Sequence, residues 1–314
     1  MKAVPSILEI LAPFRSRLSN FPTSVRVVEV GARDGLQNEK TRVPADTKIS
    51  FINQLSATGL PEVEVTSFVS PKAIPQLADA HEVYTTVDKV PGVEYPVLTP
   101  TMKYYEMAVE AGCNYIAIFT GASEQFNQKN TKSSIEDSLD KYREICAQAK
   151  KDNIKVRGYV STVMGCPYQG EVPLEMVRHV AKSLYEMGCH EISLGDTIGI
   201  GTPEQTQAMI TTVREDVPLD KIAVHFHDTY KRALVNILTA LDCGVSVVDS
   251  SVASLGGCPY AKGATGNVST EDVIYMLTEL GIKTGVDLEA LSKVANWICA
   301  EMGRGNKSLY NINN

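Results

Sequence analysis

Three stretches in succession decide the fold: the run Lys155-Val156-Arg157-Gly158-Tyr159-Val160, an amphipathic segment over 174–187 closed by Gly188, and the run Glu191-Ile192-Ser193-Leu194. A short β-rich segment, a helix and another short segment make one β-then-α unit and the start of the next. The unit repeats outward in both directions. Candidate strands are 25–30, 62–66, 95–99, 115–119, 155–160, 191–194, 223–226 and 247–251, eight in all. Each precedes a helical stretch, of which 45–57, 134–151, 174–187 and 233–241 are the clearest. Helices stop at Gly59, Gly112, Gly188, Gly244 and Gly281, where a residue just past the last turn must take the left-handed conformation. Eight such units predict an α/β protein, a (β/α)₈ TIM barrel closed by parallel pairing. An open doubly wound sheet fits less well. No Gly-rich fingerprint follows the first strand, and polar residues recur at many strand ends rather than at one switch point.

The chain of 314 residues then reads as one catalytic domain, 1–314, with the barrel over about 25–284. An extra N-terminal helix carries Ile7, Leu8, Ile10, Leu11, Phe14 and Leu18 at helical spacing, and an extra C-terminal helix spans about 287–303. Hydrophobic residues at 44% and charged residues at 21% are ordinary for a globular protein with a buried core. A net charge of −7 with a pI near 5.4 removes the usual driving force for nucleic-acid or anionic-membrane binding. No apolar run reaches membrane-spanning length. Seven cysteines, odd in number and without framework spacing, predict reduced thiols and an intracellular protein. Arg15 and Arg17 beside Glu9 fit a docking helix better than a transit peptide, so the cytoplasm is expected, with the mitochondrial matrix as the alternative.

In such a barrel the chemistry sits at the C-terminal strand ends. The first run ends in Val30-Gly31-Ala32-Arg33-Asp34-Gly35-Leu36-Gln37, and an isolated Arg-Asp pair there reads as a rim salt bridge. The seventh run changes that reading, because it ends in His225-Phe226-His227-Asp228. Residues two apart on a strand face the same way, so both imidazoles enter the mouth together. Only five histidines occur in the chain, and two stand here. Asp34 from the neighbouring first strand reaches the same place, and two nitrogens with a carboxylate suit Mg²⁺, Mn²⁺ or a similar ion. After the eighth run, Gly256, Gly257, Gly263 and Gly266 frame a loop carrying Cys258, with Asn267 at its far end offering a further oxygen. Gly-Cys-Pro-Tyr also occurs at 165–168, so composition alone gives neither cysteine a role. Glu64, Asp196 and Asp249 complete the acidic set, one a candidate base, the others partners for Arg33 or the histidines.

Four phrases together, Val30-Gly31-Ala32-Arg33-Asp34-Gly35-Leu36-Gln37-Asn38-Glu39, Ser193-Leu194-Gly195-Asp196-Thr197-Ile198-Gly199, His225-Phe226-His227-Asp228-Thr229-Tyr230 and Gly256-Gly257-Cys258-Pro259-Tyr260, resemble the metal-dependent carbon–carbon lyase barrels. The last phrase, with Glu64-Val65-Thr66-Ser67-Phe68-Val69-Ser70-Pro71, narrows the likeness to the 3-hydroxy-3-methylglutaryl-CoA lyase family. The resemblance covers about 25–284. It implies Asp34, His225, His227 and Asn267 as ligands of Mg²⁺ or Mn²⁺, Arg33 and Gln37 as substrate contacts, and Cys258 as a catalytic thiol. Glu64 joins Arg33, Asp34 and His225 in the implied catalytic group. An acyl-CoA substrate, a homodimer, and cleavage to acetoacetate and acetyl-CoA in leucine degradation and ketone-body formation follow from the same likeness. The base is Asp34 or His225. Lys40 or Lys72 is the expected contact for coenzyme phosphates. Ala32, Lys231 and Ser254 depart from the family's usual Pro, Gly and Gly, and none is an expected ligand. The alternative is a related Claisen-condensing synthase or hydroxy-oxo-acid aldolase; the synthases carry long C-terminal extensions, whereas this sequence stops soon after its barrel.

Overall fold

Short β-branched runs buried on both faces pair only with neighbours on either side, and here they do so in a ring. The computed structural model describes residues 6–257 and 266–313, the side chains of 15–18 and 313 excepted. Its strand pieces are β1 (Arg26–Glu29), β2 (Glu62–Val63), β3 (Thr66–Ser67), β4 (Val97–Leu98), β5 (Tyr115–Gly121), β6 (Lys155–Ser161), β7 (Glu191–Asp196), β8 (Ile222–Phe226) and β9 (Val247–Ser250). All pair in parallel, in the order β2-β1-β9-β8-β7-β6-β5-β4-β3. The two ends of that order, β2 and β3, are consecutive parts of one stave, the candidate strand 62–66. Glu64 N–H reaches Glu29 on β1 (2.8 Å), while Val63 and Val65 N–H reach Glu94 and Pro96 on the β4 side (both 3.0 Å). Eight staves therefore close the barrel.

The helices are α1 (Ile7–Leu11), α2 (Ala45–Ser56), α3 (Ala80–Thr86), α4 (Met102–Glu110), α5 (Glu124–Asn130), α6 (Ile135–Lys151), α7 (Leu174–Glu186), α8 (Pro203–Val213), α9 (Ala233–Asp242), α10 (Thr270–Glu279), α11 (Leu288–Glu301) and α12 (Leu309–Asn313). One or more follow every stave. All five glycine stops have φ between +72° and +103°, as helix termination requires. The N-terminal segment differs from expectation. Only one α-turn forms, capped by Ser6 with Glu9, and residues 12–20 continue as a tighter 3₁₀ path. Ile7, Leu11 and Phe14 are still buried, so the segment docks, while Leu8 faces out. The short α5 was not foreseen; Ser123 caps it.

Alternation along the strands divides two cores. Val27, Ile116, Ile118, Val160, Ile192, Leu194, Val224, Phe226 and Val248 face the helices and join the main apolar cluster. Among the described residues the interior holds two small apolar clusters, Val28, Val30, Ala223 and Val247 in one and Leu98, Ala117 and Tyr159 in the other. Charge fills much of the rest: Arg157, Glu62, Glu64, Glu191 and Asp249 are buried there. An interior of this kind is stable only if each charge has partners.

Candidate active site

The turn after β1 is built around one carbonyl. Val30 O accepts N–H bonds from Arg33 (3.2 Å), Asp34 (2.8 Å) and Gly35 (3.1 Å), winding Gly31–Gly35 into a wide helical turn over the mouth. Glu29 pins the turn from below, accepting from Gly31 N–H (2.7 Å), Val252 N–H (3.0 Å) and the Thr270 hydroxyl (2.6 Å). Gly35 is required by close approach: a Cβ there would lie 2.8 Å from Leu255 Cβ and from Ser251 Oγ.

Arg33 and Asp34 thus meet the inward face of β8. His225 Nε2 is 3.9 Å from Asp34 Oδ2, and its Nδ1 is 3.3 Å from Asp249 Oδ2. One ligand atom from each of Asp34, His225 and His227 lies within 4.8 Å of the others. Asn267 bridges to the His227 backbone, and its Nδ2 donates to Asp34 Oδ2 (2.7 Å) and Leu255 O (3.3 Å). Turning that amide over brings Oδ1 to the same position. His227 Nδ1 is buried without a hydrogen-bond partner among the described residues. Two imidazole nitrogens and a carboxylate oxygen around one point fit a divalent cation, and with the turned Asn267 amide these four residues would hold it. Their protonation agrees. Burial pushes the Asp34 carboxyl up, but Arg33 and then the two imidazoles draw it down to about 2. Burial, followed by the charge of His225, pushes the His227 imidazole down to about 4, leaving it neutral.

Arg33 lies beside this cluster, with Nη1 on Asp34 Oδ1 and Nη2 on Glu64 Oε2, both at 2.8 Å. Its Nε is buried with no partner among the described residues. Burial opposes the guanidinium charge, but Glu64 and Asp34 more than offset it and hold the pKa above its ordinary value. The three remaining acids separate by what they touch. Glu64 holds Arg33 and receives the Tyr159 hydroxyl (3.2 Å); burial raises its pKa against the pull of Arg33. Asp249 faces His225. Asp196 holds neither Arg33 nor a histidine by its side chain; it accepts the N–H groups of Gly199, Ile200 and Gly201 and shapes its own loop.

A cavity of about 520 Å³ opens from the cluster, within the usual range for small-molecule sites. Arg33, Asp34, Gln37 and Lys141 are among the residues that line it. Lys40 lines a second cavity of about 320 Å³ with Gly256, Gly257 and Arg304, whereas Lys72 is exposed and lines neither. Cys258 lies outside the described residues. The duplicate motif's Cys166 is buried, and its sulfur accepts from Ser123 Oγ at 3.0 Å. The six described cysteines are free. Sequence reasoning missed Arg157, Tyr159 and Ser193, which lie on the interior face under the cluster. For Arg157 and Tyr159 the two-residue spacing on β6 was the available signal; Ser193, on β7, pairs with Tyr159 across the sheet, which no local spacing encodes.

The family profile described as HMGL-like matches residues 24–298. The mitochondrial hydroxymethylglutaryl-CoA lyase of Gallus gallus is 56% identical over 288 residues, covering 92% of this chain and 97% of its own. A crystal structure of hydroxymethylglutaryl-CoA lyase from Pseudomonas aeruginosa superposes with a TM-score of 0.91 at 51% identity, covering 92% of this chain and 97% of that one. An HMG-CoA lyase from A. baumannii, solved in complex with coenzyme A and 3-methylmalate, superposes at 0.88 with 36% identity, covering 92% and 95%.

Proposed function

This chain belongs to the HMGL-like family, and on that premise we propose that it cleaves 3-hydroxy-3-methylglutaryl-CoA to acetoacetate and acetyl-CoA. The observation that carries the reading is the convergence of Asp34, His225 and His227 on one point beside the buried fork of Arg33. Asp34, His225, His227 and Asn267 would hold a divalent cation, Mg²⁺ or Mn²⁺, whose Lewis acidity would lower the pKa of the substrate's tertiary hydroxyl.

Asp34 or His225 receives the hydroxyl proton. Collapse of the alkoxide breaks the carbon–carbon bond, releases acetoacetate and leaves a thioester enolate. Arg33, fixed by Glu64 and Asp34 and still carrying a free Nε–H, holds the negative charge that develops there. Glu64 acts through Arg33. Gln37, on the cavity wall, contacts the substrate. Cys258 delivers the proton that completes acetyl-CoA. The coenzyme A seen with the A. baumannii enzyme supports an acyl-CoA substrate here, and Lys40, beside Gly257, is the candidate contact for its phosphates. The cytoplasm and a homodimeric assembly complete the reading. No helix among the described residues is long and apolar enough to cross a membrane.

The test is product analysis of 3-hydroxy-3-methylglutaryl-CoA incubated with the protein, with and without Mg²⁺. Metal-dependent appearance of both products is expected. No cleavage, combined with condensation of acetyl-CoA onto a 2-oxo acid, would replace the lyase by a synthase.

A further inference from the structure

Arg157 is the largest fully buried side chain among the described residues, at a place where such interiors usually carry branched aliphatics. A guanidinium stripped of water costs several kcal/mol unless its donors are all used. Here four hydrogen bonds offset that cost, in two directions. Downward, Nε donates to Glu191 Oε2 (2.7 Å), which with Glu62 also receives Arg26 at the barrel foot. Upward, Nη2 and Nη1 grip Asp249 Oδ1 (2.6 Å) and Oδ2 (3.0 Å), while Nη1 also donates to the Tyr159 hydroxyl (2.9 Å).

Both upward contacts lead into the site. Asp249, steadied further by Ser193 Oγ (2.7 Å), faces His225 Nδ1, which leaves Nε2 directed toward Asp34. Tyr159 donates a hydroxyl hydrogen bond to Glu64 Oε2 (3.2 Å), and that oxygen receives Arg33 Nη2. The Tyr159 ring is near both guanidinium groups, its centre 5.4 Å from Arg33 and 5.0 Å from Arg157. One buried group therefore touches the supports of both halves of the site, the imidazole that would hold the cation and the arginine that would hold the developing anion.

We propose that Arg157 is a positioning residue that aims His225 and Arg33 together, through Asp249 on one arm and Tyr159–Glu64 on the other. A lysine would keep the charge but not the fork, since a single ammonium cannot span Asp249, Tyr159 and Glu191 in that geometry. If Arg157 served only charge balance, lysine would suffice.

The inference rests on reading the Asp34–His225–His227 cluster as a cation site, and the experiment separates the two. Mn²⁺ affinity of the purified protein is measured from the free-ion electron paramagnetic resonance signal, the absorption spectrum is recorded with Co²⁺ bound, and kcat and KM are taken in parallel. Wild type that binds neither ion overturns the cation site itself. With wild-type binding established, Arg157→Lys is expected to weaken Mn²⁺ about 10-fold or more, as loss of a ligand's supporting partner does. It should also shift the Co²⁺ spectrum and lower kcat more than it raises KM. Wild-type values in a folded Arg157→Lys protein overturn the proposal. Arg26→Met, which removes the charge at the barrel foot, is expected to lower Tm with Mn²⁺ affinity unchanged; an equal loss of Mn²⁺ affinity would reduce the effect of Arg157 to general destabilisation and overturn the proposal. Tyr159→Phe decides the matter if Arg157→Lys does not fold. It cuts only the second arm, so kcat should fall about 10-fold at unchanged Mn²⁺ affinity, and an unchanged kcat overturns the proposal.

Discussion

Arg33 is gripped by two carboxylates and still keeps Nε without a partner among the described residues, so it arrives rigid and with a donor to spare. Replacing it by Met should lower kcat by a factor corresponding to about 3 kcal/mol or more, with KM little changed; a rise in KM alone would make it a binding contact. His227, with an orphaned Nδ1, carries the complementary prediction. His227→Ala should raise the divalent-ion concentration for half-activity by on the order of 100-fold or more, read from a Mn²⁺ titration. An unchanged titration would remove it from the ligand set. Much of this was legible in the sequence, because His-x-His on a strand and Arg-Asp at the first turn are local patterns whose direction follows from the pleat. The supporting acids were legible only as a group. Which of Glu64, Asp196 and Asp249 serves which partner depends on contacts between distant staves, such as Asp249 with Arg157, and no local spacing encodes them.

The turn at Gly31–Gly35 and the C-terminal segment each make an element-scale prediction. Gly35→Ala would drive a methyl group against Leu255 and Ser251, so overpacking should cost about 1–3 kcal/mol. Because Asp34 rides on the same turn, thermal melting should show a lower Tm and a smaller gain from Mn²⁺ than wild type. The start of α12 is held by Asp272, whose carboxyl accepts the N–H groups of Leu309 (3.0 Å) and Tyr310 (2.8 Å). Burial, helped by the neighbouring Glu271 and resisted by those two bonds, raises that carboxyl to about 7. The folded state therefore holds a proton that the unfolded chain has released above about pH 4. This contribution is full below that point and fades as pH rises through 7. Urea midpoints between pH 5 and 8 should fall with pH less steeply in Asp272→Asn than in wild type, whatever constant offset the lost acceptor adds; equal slopes would exclude the linkage. At this scale the strands and most helices were readable from periodicity. The split of the second stave into β2 and β3 was not, since it reflects pairing to a different neighbour on each side. The 3₁₀ path after α1 was equally hidden, since apolar spacing near three and a half residues fits both helix types over so short a span.

Over the whole molecule, the four proposed ligands come from the first unit and the last two, and Asn267 bonds to Asp34 across 233 positions of chain. A bound ion should stabilise only the closed barrel, by about 2.7 kcal/mol at a concentration 100-fold above its Kd. Contacts of such long range form late, so Mn²⁺ should slow unfolding in urea while leaving the refolding rate unchanged, as stopped-flow fluorescence can show. An accelerated refolding phase would place the cluster early instead. The closing of the ring through Glu62–Val63 and Thr66–Ser67 gives this an order in time. A growing polypeptide on the ribosome owns the proposed acidic ligand almost from the start, yet lacks its imidazole companions until seven staves have been synthesised. Such a half-made chain has no cage in which to trap a cation, so loading with metal becomes a mark of completion.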